Sequence, residues 1–264
     1  MKGVLLVGGI GSRLRPVTAV TNKHLLPVYD RPMIFWPLEV FRANAIHQVL
    51  VVSGREHMGD VFRLLGSGRE HGMDFTFRVQ DEAGGIAQAL ALAEEFVDPG
   101  PAIAGGEFLV VLGDNVFLPP PLVPGSLPSA SARVWLKKVP DPRRYGVPEF
   151  DWEGGLAVIR RIVEKPERPP SDFAVVGLYQ YDSRVFEIIR GLAPSARGEL
   201  EVSDVNNAYA LGGDLFWQEI AGYWGDAGSS PAGLLAVGIE VAEIARTAQT
   251  DPVTIRALMG DEGL

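Results

Sequence analysis

The 264-residue chain contains no cysteine. That absence excludes disulfides, thiolate metal sites and a cysteine nucleophile. Its four histidines, His24, His47, His57 and His71, stand at spacings that match no common metal motif, so a histidine zinc site is not expected. No apolar run approaches the roughly eighteen residues of a membrane span. Positive charge is also short: 24 Lys and Arg against 33 Asp and Glu leave a net charge of −9. A nucleic-acid partner needs a broad basic face, and none is expected here. A small nucleotide needs only a few local cations and stays open. Met1-Lys2 leads straight into strand-like sequence, which leaves no room for a signal peptide and predicts a cytoplasmic protein. The 47% hydrophobic content supports a substantial core in one large α/β unit.

What is present starts with the run Leu5-Leu6-Val7-Gly8-Gly9-Ile10-Gly11-Ser12-Arg13-Leu14. An apolar strand feeds a glycine-rich turn, whose backbone can curl around a ligand and point N–H groups inward. Arg13 adds a permanently charged fork suited to phosphate oxygens. The turn reads as an anion cradle for a nucleoside triphosphate, although a plain strand-to-helix turn would also use glycine. It is not a dinucleotide loop, because Leu14 stands where the third glycine belongs and the chain near Ile34 lacks a ribose-binding acid. No Walker spacing occurs either.

Strand-like and helix-like stretches alternate through the first half. Strands are predicted at 3–7, 48–53, 75–80 and 108–112, and helices at 33–45, 56–65 and 86–96. That rhythm implies a parallel sheet covered on both faces, with ligands beyond the carboxyl ends of its strands. The proline-rich stretch 118–128 reads as an irregular loop. Three or four β-like runs over 132–181 read as a mixed or antiparallel extension, and helices are expected at 184–192, 201–211 and 232–248. The chain is expected to be a single unit, 1–264, with halves at 1–130 and 131–228 and a helical segment at 229–264.

Asp114 follows an apolar strand, and Asp226 lies in the turn Trp224-Gly225-Asp226-Ala227-Gly228. Carboxylates so placed suit a hard cation such as Mg²⁺, which takes one or two of them plus substrate phosphates. Aspartates also cap turns, and that reading stands beside the first. Lys23 and Lys165 are the other notable cations, each with an ordinary solvated reading. Pro166 holds the residue before it extended, which gives Glu164-Lys165 a defined geometry.

Nine motifs in order carry a resemblance. They are the glycine loop to Leu14, Asn22-Lys23-His24-Leu25-Leu26-Pro27-Val28-Tyr29, Pro32-Met33, Gly113-Asp114-Asn115 and Arg144-Tyr145-Gly146-Val147. Glu164-Lys165-Pro166, Val176-Gly177-Leu178-Tyr179, the run from Arg197-Gly198-Glu199-Leu200-Glu201 to Asp204, and the turn at Trp224 complete the series. The chain resembles the sugar-1-phosphate nucleotidyltransferases, most closely the glucose-1-phosphate thymidylyltransferases. The resemblance implies a Rossmann-like α/β fold with a mixed, mostly parallel central sheet flanked by helices, and a small β-rich sugar-binding lobe. It implies Mg²⁺-dependent joining of dTTP and glucose 1-phosphate to give dTDP-glucose and pyrophosphate, the first step towards deoxysugars such as dTDP-rhamnose. A homo-oligomer, dimer or tetramer, is implied as well.

By the same likeness, Leu6, Gly8, Gly9, Gly11, Ser12, Arg13 and Asp114 bind the nucleotide, and Gln80 with Gly85 reads the pyrimidine edge. Tyr145, Gly146, Glu164, Lys165, Val175, Tyr179, Glu201 and Trp224 form the sugar-phosphate site. Arg13, Lys23, Asp114, Lys165 and Asp226 are implied to be catalytic, with Asp114 and Asp226 on the metal. Departures are Val7 and Ser12 for alanine and threonine, His24 for glutamine, Val176 for threonine, and Ser229-Ser230 for threonine-histidine. The helical C-terminal segment of many bacterial members reads as largely missing, which predicts weak feedback inhibition by dTDP-rhamnose. Two other functions stay in view: a uridylyl or other nucleotidyltransferase on a different sugar 1-phosphate, and a non-catalytic nucleotide-sugar sensor. All five implied catalytic residues are present, which favours the enzyme.

Overall fold

A computed structural model describes residues 1–248 apart from 10, 99–105 and 129. Ile10 of the glycine turn and the tail from residue 249 therefore lie outside the described residues. In chain order the elements begin β1 (Lys2–Leu6), β2 (Pro27–Val28), β3 (Arg31–Pro32), α1 (Phe35–Ala43), β4 (Gln48–Gly54), α2 (Met58–Leu65) and β5 (Asp74–Gln80). There follow α3 (Ile86–Ala91), α4 (Glu94–Val97), β6 (Phe108–Leu112), β7 (Asn115–Leu118), β8 (Ala132–Lys138), β9 (Gly146–Glu153), β10 (Leu156–Glu164) and β11 (Phe173–Tyr181). The series closes with α5 (Arg184–Gly191), α6 (Val202–Leu211), β12 (Leu215–Glu219), β13 (Tyr223–Asp226) and α7 (Pro231–Ala248).

Seven strands form one sheet in the order β12-β8-β11-β6-β1-β4-β5. All neighbours pair parallel except β11, which runs antiparallel to both β6 and β8. β1 is apolar throughout its buried length because helices cover both faces. Val4 and Leu6 join the cluster built with α3, α5 and α6, whereas Leu5 and Val7 join the one built with α1 and α2. Each such fully buried aliphatic side chain contributes about 1.5–3 kcal/mol. A glycine stands at position 3 because a Cβ there would press on the ring of Phe41 at 2.7 Å.

Leu5 aligns with Val51 on β4 and with Val111 on β6, and Gly113 N–H donates to the Leu6 carbonyl at 2.8 Å. The carboxyl ends of β1 and β6 therefore lie side by side, with the glycine turn and Gly113-Asp114 as neighbours. This is the edge of the sheet where a parallel α/β fold collects its ligands.

The β-like runs expected as a mixed or antiparallel extension divide between two sheets. β9 and β10 do form an outlying antiparallel hairpin, but β8 and β11 belong to the central sheet. The helix expected over 86–96 is split, because Leu92 and Ala93 N–H bond back to Ala89 and Leu90 and tighten the chain between α3 and α4. α1 is shorter than its apolar pattern and stops at Ala43, with Ala45 in the left-handed region at φ 51°. A ribbon of β7 and β13, and α7 packed on Val28, Met33, Trp36 and Val116, complete the molecule. No described helix is long and apolar enough to cross a membrane.

Candidate active site

β1 ends on Leu6, and the chain beyond it opens a cavity of 410 Å³. Leu6, Gly8, Gly9, Gly11, Ser12, Arg13, Gln80, Gly85 and Asp114 all line it, as does Lys23. Gly11 adopts φ 60°, a left-handed turn that glycine makes without strain and that starts the short helical turn carrying Arg13. Arg13 itself is exposed at the rim.

Two residues fix the floor. Asn22 donates from Nδ2 to the Val7 carbonyl at 3.3 Å and accepts from His24 N–H at 2.8 Å. Both main-chain partners are unambiguous, so the Asn22 oxygen faces His24, and His24 Nδ1, 2.7 Å away, must carry the proton. Burial, reinforced by the charge of Lys23, lowers the His24 pKa to about 3. The ring is therefore neutral. Between these residues Lys23 points its Nζ at Asp114 Oδ2, 2.5 Å away.

The two aspartates meet through strand register. In the β7–β13 ribbon Asp226 stands opposite Asn115, which brings its carboxylate to the side of Asp114. Ala227 N–H donates to the Asp114 carbonyl at 2.9 Å and Gly228 N–H to Asp226 Oδ1 at 3.0 Å. Gly228 passes so close that any Cβ would collide with the Asp114 carboxylate. Burial tends to raise the Asp114 pKa, but Lys23, together with His24 and the Asn115 amide, outweighs it and holds the carboxyl well below its usual range. Burial and the negative charge of Asp114 push Asp226 the other way. Among the described residues no group of three or more His, Asp or Glu forms a ready metal cage.

Asn115 ties this centre to the rest. Its Nδ2 donates to Asp114 Oδ1 at 2.8 Å, while its Oδ1 accepts from Gly177 N–H at 2.9 Å and Trp224 Nε1 at 2.7 Å. Trp224 in turn stacks edge-on against Tyr145, with centroids 5.3 Å apart.

The implied sugar-phosphate residues gather beside that pair rather than in the cavity wall. Lys165 does not take the extended conformation expected before Pro166: it is left-handed at φ 45°, held there by its N–H on the Tyr145 carbonyl at 2.9 Å, with its Nζ on Glu164 Oε1 at 2.6 Å. Ser203 donates to Glu164 Oε2 at 2.6 Å. Burial works against the Glu164 charge, yet Lys165 and Ser203 lower its pKa on balance. A Cβ on Gly146 would come to 3.1 Å from the Ser203 hydroxyl, so the glycine leaves this corner open. Tyr179 is buried between the charges of Glu164 and Asp114, which together with burial keep its phenol protonated. Val175 is half-buried on the same strand, at an irregularity in its pairing with β8.

Arg197 is quoted above only within its motif and given no role. Its Nη2 reaches Glu201 Oε1 at 2.8 Å and Glu164 Oε1 at 3.4 Å, which puts a second cation beside Lys165. An arginine followed by glycine and then by the acids Glu199 and Glu201 is the available signal. The segment that carries it also touches the nucleotide side: Leu200 N–H donates to the Gly84 carbonyl at 2.8 Å, and Glu199 lines the cavity. Contacts thus link the glycine-turn cavity, through Asp114, Asn115, Trp224 and Tyr145, to the corner where Lys165 and Arg197 meet Glu164. Together cavity and corner can neutralise a polyphosphate, hold a hard cation and receive a second phosphorylated molecule.

Comparison with known proteins agrees. A glucose-1-phosphate thymidylyltransferase of Actinoplanes sp. is 44% identical over 218 residues, covering 81% of this chain and 69% of its own. That of Neisseria meningitidis serogroup A is 43% identical, covering 87% and 78%. A solved structure assigned as a glucose-1-phosphate thymidylyltransferase of Bacillus anthracis, in complex with sucrose, superposes with a TM-score of 0.79 at 44% identity over 90% of this chain and 94% of that one. A UDP-glucose pyrophosphorylase structure shares the fold at TM-score 0.75 and 22% identity. The family described as nucleotidyl transferase matches residues 2–237, and the chain belongs to it.

Proposed function

We propose that the chain is a glucose-1-phosphate thymidylyltransferase, joining the thymidylyl group of dTTP to glucose 1-phosphate and releasing pyrophosphate. The observation that carries this reading is identity of 36–44% to curated enzymes of that name. Within the cleft, the glycine turn and Arg13 cradle the triphosphate and steady the departing pyrophosphate, while Gln80 and Gly85 face the base. Lys165 and Arg197 hold the sugar phosphate at the far side, against Glu164, Glu201 and the Tyr145–Trp224 wall.

An oxygen of the sugar phosphate attacks the α-phosphorus in line with the pyrophosphate leaving group. Such a transfer asks the protein for positioning and charge neutralisation above all. Lys23 stands within reach of both Asp114 and the cavity, so it can exchange its carboxylate partner for a phosphate oxygen. Asp114 and Asp226 fit Mg²⁺, because two adjacent hard oxygen donors, with no ready third protein ligand among the described residues, leave positions for phosphate and water. When bound there, Mg²⁺ would supply Lewis-acid neutralisation of the phosphate charge.

The test is pyrophosphate release from each of dTTP, UTP, CTP, ATP and GTP in the presence of glucose 1-phosphate and Mg²⁺. Fastest release with dTTP is expected. Release only with another triphosphate would replace the nucleotide assignment, and none with any sugar 1-phosphate would favour the sensor.

A further inference from the structure

Gln80 ends β5, and Gln88 stands on α3 facing it. Gln88 Oε1 accepts from Gly84 N–H at 2.9 Å and from Gln80 Nε2 at 2.8 Å; the same Gln80 nitrogen reaches the Gly85 carbonyl at 3.3 Å. A backbone N–H only donates and a carbonyl only accepts, so the main chain fixes which way both amides point. The Gln88 atom facing Gly84 must be oxygen, and the Gln80 atom that meets it must be nitrogen. Gln80 Oε1 is thereby turned towards the glycine turn, where a Cβ on Gly8 would sit 2.7 Å from it. Gln80 is only 7% exposed, so a reversed amide would set its oxygen against the Gln88 and Gly85 oxygens with no proton between them.

We propose that Gln88 is a positioning residue that locks the Gln80 amide with its oxygen towards the bound base, so that the cavity selects a base bearing an N–H at that edge and rejects cytosine. This rests on the reading of the cavity as a nucleotide site. Thymine and uracil carry N3–H at that edge. Cytosine carries a lone pair at N3, which would meet the Gln80 lone pairs head-on. Without the Gln88 acceptor, the Gln80 amide is held by Gly85 alone and can turn over to suit either base.

The test compares kcat/KM for dTTP with that for CTP, with glucose 1-phosphate as co-substrate, in Gln88→Met, Gln88→Glu and Gln80→Met. Methionine keeps the length of the side chain without its acceptor; glutamate keeps an acceptor in place. Gln88→Met is expected to lower the dTTP-to-CTP ratio by about tenfold or more, the loss falling on KM for the triphosphate rather than on kcat. Gln88→Glu is expected to hold the ratio near that of the wild type. A ratio unmoved in Gln88→Met, or lost equally in Gln88→Glu, overturns the lock. If Gln80→Met also leaves the ratio unmoved, the base-reading assignment itself fails. If Gln80→Met lowers it while Gln88→Met does not, only the lock fails.

Discussion

His24 is a buried imidazole, 2% exposed, that the folded protein keeps neutral while the unfolded chain protonates it near 6.5. Of the charges facing it, Lys23 and His57 disfavour protonation and Asp114 favours it. The unfolded state therefore binds the extra proton, and stability drains away as the pH falls below that value. Between about pH 7 and about pH 5 the wild type should lose about 2 kcal/mol more than His24→Gln, read from urea midpoints at each pH. Equal losses would mean that the folded site accommodates the imidazolium. Gly228 makes a second point at this scale. Its missing Cβ is what lets the Asp226 turn close on Asp114, so Gly228→Ala should lower kcat by about tenfold or more and also lower the thermal unfolding temperature. Retained kcat would separate that turn from the chemistry. Asp114 and Asp226 are legible in the sequence because each stands beside a glycine in a turn. The roles of Asn115, Gln88 and Arg197 are not, because an amide or guanidinium shows its partners only once the chain is folded.

At the scale of elements, the short ribbon of β7 and β13 holds the two aspartates together, and Asn115 is its fastener to β11. Asn115→Ala would strand the Gly177 N–H and the Trp224 indole N–H, each a loss of about 1–3 kcal/mol when buried. We expect destabilisation of about 3 kcal/mol by urea unfolding, with a rise in KM for glucose 1-phosphate as Trp224 loosens beside Tyr145. A stable variant with unchanged KM would show that the ribbon is held by its backbone ladder alone. The ribbon escaped sequence reasoning because a four-residue strand such as Asn115–Leu118 carries too little alternation to be distinguished from a loop. The longer elements did not escape it. The β-α rhythm of the first half follows from near-continuous apolar strands and amphipathic helices, and β1, β4, β5 and β6 all lie where it put them. For β8 and β11 the alternation announced strands but not their partners, since pairing is set by long-range register.

The whole molecule follows from that last difference. A chain divided near residue 130 would behave as two halves, each with its own core. Instead β6, from the first half, lies between β1 and β11, and Leu178 and Tyr179 pair directly with Val111 and Val110. The cluster on one face draws Val4 and Leu50 from the first half and Val134, Tyr181 and Val205 from the second. Removing either half would expose an edge of β6 or β11 along with the apolar face beneath it. The two halves should therefore unfold together, although the chain is longer than most two-state domains. Tryptophan fluorescence samples both parts, through Trp36 and through Trp135, Trp217 and Trp224, while far-ultraviolet circular dichroism follows the whole sheet. Urea curves by the two probes should coincide at a single midpoint, and glucose 1-phosphate with dTTP analogues should shift that midpoint as one. Two separated transitions, one of them insensitive to either ligand, would mean that the sheet is continuous in geometry but not in cooperativity. The cleft would then sit on a seam between two folding units rather than on the edge of one.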